Sequence, residues 1–344
     1  IFHIRYILRY KGGILMEYRK LIKFGNSSHI ISLPTNWIKK NKLKKGDLIY
    51  FQENGGGELV LNHEIKKEES KPREITINIT GRQIPTIERE ILYAYTNDYD
   101  EINIVGDLKR CRKEIESILG NLLALEIMEQ TPNKIVVKDF LNLKEVSIQD
   151  NIRRIDLTTR SMFSYLKESF DKGVDNFDNI AYLDTNVNKI RFLLYRAINK
   201  CLKTNDFSIY PKINSFMALL NYRLVINNLE DIADDCRRIS RFLKTAKIKK
   251  NEKNELEKIY HEVEESYLNV MKAYYTGNRD LAHEVASRKD KIIGGCKNLF
   301  EIGLGHAQDG GVPMGIGIVR ASVAVENRHV AEPDAWLHIG QRDL

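Results

Sequence analysis

Apolar and polar positions change period twice between Leu21 and Phe51, in LIKFGNSSHIISLPTNWIKKNKLKKGDLIYF. Leu21, Ile22 and Phe24 predict a short strand, GNSS a turn, and Ile30, Ile31 and Leu33 a second strand. Pro34 ends it, because proline cannot extend a ladder. Thr35 or Asn36 can cap a helix whose apolar positions are Trp37, Ile38 and Leu43. Gly46 suits the left-handed position after a helix. Leu48 to Phe51 then read as a strand, and the tight turn ENGGGE leads into Leu59 to Leu61 as a hairpin. A β-β-α-β-β unit of this size buries little core by itself, so a second copy is expected to complete it.

The polar run HEIKKEESKPRE, His63 to Glu74, reads as a linker. Beyond it ITINI predicts a strand (Ile75 to Ile79), Ile84 to Tyr95 a helix, EINIV a strand (Glu101 to Val105) and Leu108 to Leu123 an amphipathic helix. LEIMEQ and KIVVKDF predict two strands around Pro132. This β-α-β-α-β-β order describes a small α+β sandwich over residues 64–145, and it reads as a spacer or dimerisation domain. From Val146 to about Phe300 the pattern is helical, with breaks at DKGVDN, TNDFS, TAKIKKN and TGNRD. Leu183, Val187, Ile190, Leu194, Ala197 and Cys201 repeat at 4-3-4-3-4 spacing, and Val225, Leu229, Ile232, Cys236, Ile239 and Leu243 repeat identically. Such seams predict antiparallel helices in bundles.

Composition changes the picture at the two ends. The first fifteen residues, IFHIRYILRYKGGIL, are neither a clean signal segment nor a membrane span. Met16 is read as the start, with residues 1–15 a non-native extension. After Lys297 there is no lysine, and glycine, alanine, valine and histidine take over. Residues 302–344 read as a frameshifted or disordered tail. Its Gly303/Gly305 and Gly315/Gly317 pairs follow no clear strand, so they are not taken as a nucleotide fingerprint. No run of about 18 apolar residues exists, and no membrane insertion is expected. Cys111, Cys201, Cys236 and Cys296 form no CxxC pair, which suggests neither a zinc site nor a disulfide framework and fits the cytoplasm.

The net charge of +7 is mild. Its distribution is more informative: Arg19, Lys20, Lys23, Lys39, Lys40, Lys42, Lys44 and Lys45 stand against Glu17 and Asp47 alone. That density is either a footprint for phosphate backbones or a solvated lysine-rich face. In the helical half a polar row runs beside each seam. Asp184 and Asn188 lie four residues apart on one helix; Glu230 and Asp234 do so on another, within the acidic run LEDIADD. An i,i+4 pair of oxygen ligands can hold a hard cation. The same acids can instead solvate the bundle rim or pair with Arg191, Arg237 and Arg238. The segment 64–145 offers no Ser/His/Asp set and no phosphate-cradling glycine loop, and no enzyme is expected of the chain. A di-metal hydrolase would need a base near the acidic rows, and His261 and His283 fall on later helices and read as ordinary surface residues.

The run KFGNSSHIISLP, then NWIKKNKLKKGDLIYF and GELVL, resembles the AbrB/SpoVT swapped-hairpin DNA-binding domain, through Ser32, Leu33, Pro34, Trp37, Gly46 and Asp47. The resemblance covers about residues 16–63. It implies an intertwined homodimer that contacts DNA through Arg19, Lys20, Lys23, Asn26, Ser28, Lys39 and Lys40. A second resemblance links YLDTNVNKIRFLLYRAI and LVINNLEDIADDCRRIS to the PhoU family of phosphate-uptake regulators. Glu230 to Asp234 matches that family's second motif, with Asp231 where arginine is frequent. Asp184 and Asn188 match the first in part, since asparagine replaces the second acid. The family implies a divalent or multinuclear metal (Fe, Zn, Mg, Mn or Ni) at Asp184, Asn188, Glu230 and Asp234. It also implies all-α three-helix repeats, here 146–245 and an incomplete 246–301.

The expected chain is therefore multidomain: a swapped-hairpin β domain, a small α+β domain and PhoU-like helices. Together these resemble a type of archaeal regulator. The implied role is phosphate-responsive transcriptional or signalling control of phosphate uptake. The alternative is a cytoplasmic adaptor that binds a phosphate transporter or signalling protein without recognising DNA.

Overall fold

A computed structural model describes residues 7–9, 15–26, 28–53, 59–64, 72–204, 210, 215–245, 250–288, 291–292 and 294–295. The sequence expectations for the tail from 302, for Cys296 and for the residues NGGGE lie outside these. The chain divides into two compact units, residues 1–68 and 69–344. The first is small and β-rich; the second carries a four-stranded sheet and is mostly helical.

In the first unit β1 (Ile7–Arg9) pairs with β2 (Leu15–Glu17), β3 (Ile22–Phe24) with β4 (Ser28–Ile30), and β5 (Tyr50–Glu53) with β6 (Leu59–Asn62), all antiparallel. The six-residue helix α1 (Thr35–Lys40) starts directly after Pro34. Its exit is set by a local network. Asn41 Nδ2 donates to the Trp37 carbonyl at 2.9 Å, and the Lys44 amide donates to Asp47 Oδ2 at 2.6 Å. Gly46, at φ +99, supplies the turn between them that a Cβ would strain.

In the second unit the sheet order is β7 (Glu74–Asn78), β8 (Glu101–Val105), β10 (Lys134–Asp139) and β9 (Leu125–Gln130). β7 and β8 are parallel, joined by α2 (Ile84–Thr96), and the other pairs are antiparallel. Register aligns Ile75, Ile102 and Val137 in one row and Ile77, Ile104 and Ile135 in the next. Strand alternation puts both rows on one face. They form a core with Ile87, Ile91 and Tyr95 of α2 and with Ile115 and Leu119 of α3 (Arg112–Gly120). The single helix expected from Leu108 to Leu123 is instead a 3-10 turn, Leu108–Arg110, followed by the shorter α3. Asp107 caps that turn by accepting the Lys109 amide at 3.1 Å.

The helices are α4 (Ile148–Lys172), α5 (Phe177–Thr204), α6 (Phe216–Thr245), α7 (Lys250–Thr276) and α8 (Arg279–Ser287). Ser147 caps the start of α4, and Gly173, at φ +69, ends it. Along the first seam Val187, Ile190, Leu194, Ala197 and Cys201 are buried; along the second, Val225, Leu229, Ile232 and Cys236 are. α4, α5 and α6 pack pairwise. α7 and α8 bury Tyr260, Tyr267, Met271, Ala282 and Val285 in that same core rather than in one of their own. Tyrosine hydroxyls dock α7 on α4. Tyr267 and Tyr275 donate to the two oxygens of buried Asp156, at 2.8 and 3.0 Å, and Tyr260 donates to the Phe163 carbonyl at 2.6 Å.

The sheet is bound to α5 by an ion cluster. Arg196, 1% exposed, donates through Nε and Nη2 to Asp98 Oδ1 at 3.1 and 2.8 Å, and through Nη2 to Asp139 Oδ2. Lys200 Nζ reaches Asp98 Oδ2 at 2.9 Å. Asp98 sits at φ +63 just past the end of α2, a conformation few non-glycine residues hold without a compensating partner. Burial works to raise its pKa, but Lys200 and Arg196 outweigh burial and hold the carboxyl below its usual range. Replacing Arg196 leaves Asp139 without its guanidinium and Asp98 with Lys200 alone. Arg196→Met is expected to lower unfolding free energy by about 3–5 kcal/mol in urea titration. Adding Asp98→Asn and Asp139→Asn should restore part of that loss. A single variant as stable as the parent would refute the assignment.

Candidate nucleic-acid interface and the acidic helix pair

The hairpin β3–β4 sorts its side chains by face. Ile22 stands opposite Ile30 and Phe24 opposite Ser28, whereas Lys23 stands opposite His29. Alternation puts Ile22, Phe24 and Ile30 on one side and Lys23 and His29 on the other. Gly25, at φ +66, and exposed Asn26 form the turn between the strands. Lys20, Lys23, Asn26 and Ser28 are exposed, and Arg19 is half-buried. Lys39 and Lys40 are exposed on the last turn of α1. The structure thus brings Lys23, Asn26 and Ser28 into one hairpin and Lys39 and Lys40 into one short helix. His29 shares the face of Lys23 and was missed in the sequence, where a turn read as GNSS would set Phe24 rather than Lys23 opposite it.

The apolar side of this unit has no cover. Of residues 18–26, 28–51 and 59–64 none is buried. Leu21, Phe24, Leu48, Phe51 and Leu59 are 61–68% exposed. Scattered exposed apolar residues are ordinary, but a domain without one buried side chain has no core of its own.

In the helical half Asp184 on α5 and Asp234 on α6 meet at one arginine. Arg237 Nε lies 3.2 Å from Asp184 Oδ2, and its Nη2 donates to Asp234 Oδ1 at 2.6 Å. Arg238 takes the other Asp234 oxygen at 2.6 Å and Asp235 Oδ1 at 2.8 Å. Arg191 pairs with Glu230 at 3.1 Å. Asn188 turns back, donating from Nδ2 to the Asp184 carbonyl at 3.2 Å. Every acid of the quartet therefore carries a guanidinium partner, and Asp184, Glu230 and Asp234 form an ion-pair ladder rather than an open ligand set. As arranged, they do not fit a bound cation. Asp184 Oδ1 is buried without a hydrogen bond. Burial raises the pKa of Asp184 and of Glu230 against the pull of these arginines. Burial also pushes Asp235 up to about 6, although Arg238 opposes it.

Residues 22–73 match the family model described as "Antidote-toxin recognition MazE, bacterial antitoxin". No curated protein and no solved structure gives a significant match to the chain. The match begins at the hairpin that resembles the AbrB/SpoVT segment and extends past the first unit, which ends at Glu68. Among the described residues no helix is long and apolar enough to cross a membrane.

The raised Asp235 pKa has a defined sign. The unfolded carboxyl titrates near 3.9 and the folded one near 6. Its contribution to stability is complete below about pH 4 and is lost as pH rises through about 6. Asp235→Asn is expected to flatten the fall in stability over that window by of order 2 kcal/mol, read as the difference between the two chains in urea titrations at each pH. Parallel curves for the two chains would disprove it.

Proposed function

We propose that this chain is a non-enzymatic, DNA-binding regulator whose first unit works as a homodimer. The observation that carries the reading is the MazE-type match on a segment whose cationic and apolar faces are separated by the register of one hairpin. Lys23, His29 and the turn residue Asn26 would meet phosphates, with Lys20, Lys39 and Lys40 adding charge, whereas Ser28, opposite Phe24, falls on the apolar side. Ile22, Phe24, Ile30, Phe51 and Leu59 would be covered by the same faces of a second copy, as interleaved hairpins require.

The finer reading is control of phosphate uptake in the cytoplasm. It rests on the resemblance of α5 and α6 to the PhoU family. The helical body would then receive a signal of metal or phosphate state, or bind a transporter or signalling protein. An ion entering the α5–α6 seam would have to displace Arg237 from Asp184 and Asp234. A second reading follows from the words describing the matched family: the first unit would recognise a protein partner, and the chain would act as an adaptor.

Fluorescence anisotropy of the full chain on duplex DNA from a phosphate-transport promoter, with random duplex as competitor, separates these readings. Specific binding should weaken steeply with salt. Changing Lys20, Lys23, Lys39 and Lys40 to glutamine should make the log–log salt slope shallower, by roughly one for each phosphate that a lysine no longer neutralises. Unchanged binding by that variant would reject the assigned interface, and no binding above the random control would favour the adaptor. Phe24→Asp combined with Phe51→Asp should convert the dimer to a monomer in analytical ultracentrifugation, because each buried phenyl is worth about 1.5–3 kcal/mol. A variant that remains dimeric would place the subunit contact elsewhere.

A further inference from the structure

His261, in the first half of α7, has acidic neighbours from two helices. Its Nε2 lies 3.9 Å from Glu257 Oε1, and its Nδ1 lies 3.6 Å from Glu264 Oε2. Asp171 reaches the same place from the last turn of α4. One ligand atom each of Asp171, Glu257 and His261 fall within 4.8 Å of one another. The two helices are held together just beside this point, where the Phe170 and Tyr260 rings lie 5.0 Å apart and the Tyr260 and His261 rings 5.2 Å apart. The backbone positions of Asp171 and His261 are therefore fixed by packing, while their tips are solvent-accessible.

Charge sets this cluster apart. The acids of the α5–α6 ladder are each neutralised by an arginine. Here, among the described residues, neither lysine nor arginine pairs with Asp171, Glu257 or Glu264. Three carboxylates and an imidazole converge with no cation between them.

We propose that Asp171, Glu257 and His261 Nε2 form a binding site for a divalent transition-metal ion of the zinc class. Mixed imidazole and carboxylate donors suit such an ion better than calcium or magnesium, which prefer oxygen alone. Bonds of about 2.0–2.1 Å in a tetrahedral set place ligand atoms roughly 3.4 Å apart, so the three tips need close by only about an ångström. Glu264 is the positioning residue. At 3.6 Å from Nδ1 it is placed to accept the Nδ1 proton once the site closes, which would fix the tautomer that presents Nε2 and strengthen the imidazole as a ligand. The bound ion would tie the first half of α7 to the end of α4. The site is separate from the α5–α6 ladder and does not depend on DNA binding by the first unit.

The test is a cobalt(II) titration of the chelator-treated full chain, followed by visible absorption, with zinc as competitor. One equivalent of cobalt should give ligand-field bands that zinc removes, and zinc should raise the unfolding midpoint. His261→Ala and Asp171→Asn should each weaken binding at least tenfold and abolish the zinc-induced rise. Glu264→Gln should weaken it about tenfold while keeping the bands. Circular dichroism shows whether each variant is folded, and two substituted positions on different helices guard against the failure of one. Asp184→Asn serves as the control and should bind as the parent does. Absence of bands in the parent, or bands that survive His261→Ala and disappear with Asp184→Asn, would overturn the proposal.

Discussion

Arg196 is withdrawn from water between Asp98, in the turn that leaves α2, and Asp139, at the end of β10. A buried guanidinium tolerates no arrangement that misses its partners, since the energy of an unpaired interior charge is far larger than that of any one apolar contact. The cluster therefore dictates where α5 lies on the sheet. It also accounts for the backbone of Asp98, whose left-handed conformation is held by Arg196 and Lys200 on one carboxylate. Asn199 and Lys203 extend the junction, donating to the Thr96 and Asn97 carbonyls at 3.0 and 3.2 Å. The sheet is thereby part of the helical body rather than a separate spacer.

The first unit obeys the opposite constraint. Its register and turns are well specified, yet of residues 18–26, 28–51 and 59–64 none is buried. Local hydrogen bonding alone does not hold two-stranded ribbons together in water, so a second surface is built into the design of this unit. The same three-residue strands present the charges: an apolar row turned to one side leaves Lys23 and His29 on the other. Assembly and electrostatic recognition would thus be two faces of one hairpin.

Elements governed by short-range chemistry were legible in the sequence. EINIV is a strand at Glu101–Val105 as its alternation predicts, and α4, α5, α6 and α7 end at Lys172, Thr204, Thr245 and Thr276, where DKGVDN, TNDFS, TAKIKKN and TGNRD begin. Lys23 and Lys39 were legible as exposed cations. What escaped was every pairing across distance. Arg196 carried no signal of its role, because Asp98 and Asp139 lie far away in the chain. Asp156, Tyr267 and Tyr275 carried no shared period. His261 read as a surface residue: Glu257 and Glu264 share its helix face, but Asp171 joins them only once α7 lies on α4. The acidic quartet was legible as a stripe, and Arg191, Arg237 and Arg238 were visible as one alternative set of partners. The choice between a metal and an arginine belongs to rotamers that spacing does not encode.

α5 touches two different structures along one axis. Near its start Asp184 and Arg191 engage α6; further along, Arg196, Asn199 and Lys203 grip the sheet. From Asp184 to Lys203 is about 28 Å of continuous helix at 1.5 Å per residue, and such a rod does not bend to absorb a small push. One unbroken helix thus carries both the arginine ladder on α6 and the grip on the sheet, so the two sets of ion pairs are fixed in register by a single element.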